Sequence, residues 1–250
     1  TAVRGIGPLL EAIRDESLRR RRVAHDTSEI VVSVGAKHTL FNLAMVLYEP
    51  GDEVIIPAPY WVSYPAQVEL FGGVPKIVET REEDGFRLGA DALRAAVTPR
   101  TKAIILCSPS NPTGAAYRRA DLEALAGALR EGDYWILADE IYGEMVYDGF
   151  DQVSLLEVAP DLRDRLILVD GVSKTYAMTG WRIGWALAPA AVAKAVDKVQ
   201  GQSTTNPTAV AQHAAVAALR GDKAPVAAMV AAFAERQRAI VDGLNAIDGI

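Results

Sequence analysis

Four clusters of polar and small residues interrupt an apolar chain, and each stands directly after a run that reads as a β-strand. Ligand sites in open α/β sheets gather at the carboxyl ends of strands, so these clusters are where chemistry is expected. Gly35-Ala36-Lys37 enters a helix, where bare backbone N–H groups and the helix dipole suit a phosphate. A plain strand-to-helix turn would look the same. Ser108-Pro109-Ser110-Asn111-Pro112-Thr113-Gly114 is a turn whose prolines restrict the backbone and display the Asn111 amide. The amide offers donors and an acceptor, although an Asx turn serving only its own loop is equally compatible. Asp139-Glu140-Ile141-Tyr142 puts a carboxylate where an apolar strand ends. That charge needs a partner, unless Asp139 merely caps a following helix. Ser173-Lys174-Thr175-Tyr176 is followed by Thr179-Gly180-Trp181-Arg182-Ile183-Gly184. Lys174, between a strand and small or aromatic residues, is placed to act as a nucleophilic amine that forms Schiff bases. Arg182 supplies a fixed fork matched to a phosphate.

The elements that must position these residues alternate. Short β-rich runs at 30–34, 53–57, 74–78, 102–107, 135–139, 166–170 and 183–187 are separated by helical patterns at 37–48, 62–71, 90–97 and 120–130. This alternation predicts an α/β fold with a mainly parallel sheet. Alanine-rich helical patterns follow at 190–200, 208–219 and 224–244, the last a possible connector toward a second domain. No internal repeat or low-complexity linker is present, so a single domain is the economical reading.

Composition narrows the class. The 250 residues are 50% hydrophobic and 23% charged, enough to bury a full core. A net charge of −6 argues against a general attraction to nucleic acid or anionic membranes. The run Arg19-Arg20-Arg21-Arg22 is an exception, read as the solvated end of a helix whose dipole favours cations there. The single cysteine, Cys107, excludes an internal disulfide and points to a reducing, cytoplasmic setting. With no histidine close in sequence, it reads as a small core residue and not a nucleophile. His25, His38 and His213 lack metal-ligand spacing, and no apolar run is long enough to span a bilayer.

Taken together, Pro59-Tyr60-Trp61, Asn111-Pro112-Thr113-Gly114, Asp139-Glu140-Ile141-Tyr142, Ser173-Lys174 and Gly180-Trp181-Arg182-Ile183-Gly184 resemble the class I/II aminotransferases of pyridoxal 5′-phosphate (PLP) fold type I. The phrases Tyr60-Trp61-Val62-Ser63-Tyr64-Pro65 and Gln202-Ser203-Thr204-Thr205-Asn206-Pro207 resemble most the bacterial aspartate and aspartate/prephenate branch. The resemblance implies a three-layer PLP-transferase large domain over residues 1–250, with a mixed, mainly parallel sheet. It implies that Lys174 carries PLP as a Schiff base and shuttles the proton, that Asp139 pairs with the pyridine nitrogen, and that Asn111 and Tyr142 bond the phenolic oxygen. Trp61 would stack on the ring and face the substrate. Gly35, Ala36, Ser173 and Arg182 would hold the phosphate, and Asn111 would also meet the substrate α-carboxylate. Lys37, at the edge of the cofactor site, would reach a distal carboxylate, which favours acidic substrates. A solvated first-turn lysine is the plain alternative.

The implied activity is transamination between an L-amino acid and a 2-oxo acid by ping-pong chemistry in a homodimer. The same residues would serve a carbon–sulfur β-lyase, and the same fold occurs in PLP-binding transcription regulators. Two departures stand out. Cys107 occupies a position where close relatives often carry asparagine. The family's N-terminal arm and small C-terminal domain, with the arginine that grips the substrate α-carboxylate, are expected to lie outside these 250 residues.

Overall fold

Residues 1–249 are described by a computed structural model. Its strands are β1 (Ile30–Ser33), β2 (Glu53–Ala58), β3 (Val74–Glu79), β4 (Thr101–Cys107), β5 (Trp135–Asp139), β6 (Leu166–Gly171) and β7 (Gly184–Leu187). They form one sheet in the order β1-β7-β6-β5-β4-β2-β3. β7 pairs antiparallel with both neighbours and the remaining pairs are parallel. The expected mainly parallel mixed sheet is therefore present, with strand ends shifted by a residue or so.

Apart from the edge strand β3, whose residues are exposed or half-buried, the strands are apolar nearly throughout because both faces are covered. Successive side chains point to opposite faces, and the core divides accordingly. Ile104, Ile136, Leu168 and Trp185 enter one layer together with α1 (Gly7–Arg21), α4 (Ala90–Ala96), α5 (Arg119–Arg130), α6 (Leu155–Val158) and α8 (Ala209–Arg220). Their strand neighbours Ile105, Leu137, Val169 and Ala186 enter the other layer, under α2 (Ala36–Leu47), α3 (Ser63–Leu70) and α7 (Ala190–Gly201). The result is three layers, helix on sheet on helix. α9 (Ala224–Asn245) lies largely outside this core and exposes Ile240, Val241 and Leu244.

The arginine run departs from expectation. It does close α1, but Arg21 is only 2% exposed. Its Nε donates to Glu140 at 2.9 Å and its Nη2 to Asp170, which also accepts from Arg20 at 2.8 Å. Helical periodicity shows which residues share a helix face but not that carboxylates from two strand ends meet that face. α1 is thereby tied to the loops after β5 and β6, which carry the site.

Candidate active site

The carboxyl ends of β1, β2, β4, β5 and β6 lie along one sheet edge. Because β7 is reversed, its beginning lies there too. A cavity of about 340 Å³ opens at this edge, within the usual size of small-molecule sites.

Asp139 forms its floor, 3% exposed at the end of β5. Tyr64 Oη donates to its Oδ2 at 2.8 Å and the Ile141 N–H to its Oδ1 at 3.2 Å. Burial pushes the Asp139 carboxyl up to about 6, against the lowering effect of these two donors. No helix follows, so Asp139 is not a helix cap; turns occupy the residues after it. Trp61 forms one wall and meets Tyr64 edge to face, 5.5 Å between ring centroids at 90°. Lys37, exposed, lies 4.9 Å from the Trp61 ring centroid. Opposite, the Lys174 ammonium sits 5.4 Å from the Tyr142 ring centroid, and burial raises the Tyr142 phenol above its ordinary range. The Asn111 side chain faces the cavity, while Thr113 serves the loop itself by accepting from Ala115 N–H at 3.1 Å.

The far end is built for an anion. Gly35, at φ 83°, precedes the first turn of α2, and a Cβ there would collide with the Arg182 guanidinium. Gly184 is equally constrained, since a Cβ would strike the backbone of Ala36. The two glycines let Arg182 and the α2 N-terminus close on one spot beside Ser173. Arg182 Nη1 donates to Thr179 O at 2.9 Å, and Arg182 takes part in none of the ion pairs among the described residues. Nine of the ten residues expected from the sequence line this cavity. Gly35 does not, because its N–H donates to Ser33 O at 2.8 Å and is not free for a phosphate; its part is to leave room for the Arg182 guanidinium.

Four lining residues have no role assigned from the sequence: Ile141 and Thr179, and the more informative Tyr64 and Cys107. Tyr64 was read only as part of a phrase, although it follows Trp61 by one helical turn. Cys107 was expected in the core; it borders the cavity, half-buried, with its thiol pushed up to about 12 by burial. A residue ending a strand pointed at the cavity is only partly covered, which apolarity alone does not reveal.

Residues 3–250 match the family model described as aminotransferase class I and II. The chain belongs to this family. Aspartate aminotransferase of Geobacillus stearothermophilus is 45% identical over 245 residues, which is 98% of this chain and 62% of that protein. Aspartate/prephenate aminotransferase of Nitrosomonas europaea is 44% identical over 251 residues, 100% of this chain and 63% of that protein. The crystal structure of the aspartate aminotransferase from Rhizobium meliloti superposes with a TM-score of 0.98 at 46% identity, covering 100% of this chain and 62% of that one. The chain therefore spans about three fifths of the length of these relatives. The lyase and regulator readings draw no support from proteins so named.

The cofactor of class I and II aminotransferases is PLP, and the residues present in this aminotransferase chain fit it. A buried carboxylate held by neutral donors suits a protonated pyridine nitrogen, and the cradle at Gly35 and Arg182 suits a phosphate. The described residues contain no helix long and apolar enough to cross a membrane and no cluster of metal-ligating side chains.

Proposed function

We propose that the chain is the large, PLP-binding domain of a transaminase that moves the amino group of an acidic L-amino acid, aspartate foremost, to a 2-oxo acid. The observation that carries this reading is that the amine of Lys174, the buried carboxylate of Asp139 and the anion pole at Arg182 line one cavity. When bound, PLP would supply an electron sink for the carbanion left by deprotonation at the substrate Cα. Asp139 would hold the pyridine nitrogen protonated. Lys174 would carry the cofactor and, once displaced by substrate, move the proton at Cα. Asn111 and Tyr142 would bond the phenolic oxygen, Trp61 would cover one ring face, and Ala36 N–H, Ser173 and Arg182 would hold the phosphate. Lys37, exposed beside Trp61, would meet a distal substrate carboxylate, with Trp61 and Asn111 also touching substrate. A homodimer and a cytoplasmic setting belong to the same reading, as does a small domain supplied by further chain, which the greater length of the relatives supports.

The test is the visible absorption spectrum of the full-length protein with PLP, before and after L-aspartate. A long-wavelength band that gives way to the pyridoxamine form with release of oxaloacetate is expected. A band that ignores aspartate and other acidic donors would refute the substrate class, and no band at all would refute the cofactor role of Lys174.

A further inference from the structure

Tyr64 is a buried, uncharged group that lines the candidate site. It is 3% exposed on the first turn of α3. Its phenol donates to Asp139 Oδ2 at 2.8 Å, and its ring braces Trp61 edge to face. One residue thus touches both the group assigned to the cofactor's nitrogen and the group assigned to its ring face. We propose that Tyr64 is a positioning residue that keeps Asp139 ionised and aimed at the pyridine nitrogen of the cofactor. This role presupposes the cofactor reading above.

The surroundings of Asp139 leave it short of other support. From its own loop come Glu140 and, at the cavity wall, Tyr142; from β4 comes the Cys107 thiol; from β6 comes Asp170. Glu140 and Asp170 are like charges that oppose ionisation of Asp139. The nearby cations Arg20 and Arg21 are spent on those two carboxylates. Among the described residues, only Tyr64 and the Ile141 N–H donate to Asp139 itself. A hydrogen bond to a charged acceptor is worth about 10- to 100-fold in an equilibrium, so removing the phenol should move the balance toward the protonated acid.

The experiment measures PLP affinity of the full-length apoprotein by quenching of tryptophan fluorescence between pH 5 and 9. Wild type, Tyr64→Phe, Asp139→Asn and the double variant are compared. Wild-type affinity should fall on the acid side as Asp139 takes up a proton. In Tyr64→Phe that limb should move up by roughly one to two pH units, with binding at pH 7 weaker by roughly 2- to 10-fold. Asp139→Asn should lose the limb, and adding Tyr64→Phe to it should change affinity less than about threefold, because the phenol acts through the carboxylate. An unmoved limb, or an equal loss in both backgrounds, would reduce Tyr64 to packing and overturn the proposal. Should Tyr64→Phe not fold, 3-fluorotyrosine in place of Tyr64 supplies a stronger donor and must move the limb to lower pH; no movement overturns the proposal. Failure of the wild type to bind PLP is a separate result, which refutes the cofactor reading and this role with it.

Discussion

Lys174, Asp139 and Arg182 divide the chemistry by type: an amine, a carboxylate and a guanidinium around one cavity. If Lys174 carries the cofactor, Lys174→Ala should lose all PLP trapped by borohydride reduction, and peptide mapping after reduction checks this. A labelled peptide from Lys37 or any other lysine would refute the assignment. Gly35 tests the anion pole. Gly35→Ala should weaken inorganic phosphate and PLP binding by at least tenfold, because a Cβ meets the Arg182 guanidinium and the backbone is already at positive φ. Calorimetric titration of the apoprotein with each ligand provides the readout. At this scale the sequence was informative because most of the functional residues stand at or within a few residues of a strand's carboxyl end. Tyr64 was not legible, since a buried tyrosine in a helix looks the same whether it fills the core or holds a carboxylate.

The strands and the major helices were legible from apolar runs and their spacing, because burial on both sheet faces makes each central strand a nearly uninterrupted apolar word. The reversal of β7 was not, since nothing in Gly184–Leu187 distinguishes a parallel from an antiparallel neighbour. Nor was the fate of α1. Its last turn carries cations, as a solvated helix end would, yet Arg21 joins Glu140 and Asp170 in the interior. Arg21→Gln should therefore destabilise the fold by about 3–5 kcal/mol, the usual loss when one member of a buried ion cluster is removed and its partners stay charged. Urea unfolding of the two proteins measures it, and a difference below about 1 kcal/mol would show that the cluster is not strongly coupled to folding. The same variant should loosen the loops after β5 and β6, seen as faster amide exchange in them.

For the molecule as a whole, the candidate site is a source of instability until filled. Asp139 has a folded-state value near 6 against about 3.8 for the free acid. Its folded value lies above the unfolded one, so its contribution is full below about pH 4 and lost as pH rises through 6. Above that, burial of the charge costs the apoprotein on the order of 3 kcal/mol. Asp139→Asn apoprotein should accordingly be more stable than wild type at pH 8 and lose that advantage near pH 4, while PLP binding and turnover decline. Thermal unfolding at the two pH values tests it; equal stability at pH 8 would mean that the carboxylate is not strained. His25 acts in the opposite sense. Burial lowers it to about 4 from 6.5, so the unfolded chain takes up a proton that the folded chain refuses, and stability falls as pH drops from 6.5 to 4.

The pairing of β1 with β7 also has a consequence in time. Ile30 meets Leu187 and Ser33 meets Gly184, and β7 is the strand beside which β1 sits in the sheet. During translation β1 leaves the ribosome on the order of ten to thirty seconds before its partner at usual elongation rates. For that interval a four-residue strand, apolar but for Ser33, waits without its β7 partner, exposed to chaperones and to other nascent chains. The spot where Arg182 faces the start of α2 does not exist until β7 arrives, so cofactor capture must wait for that strand.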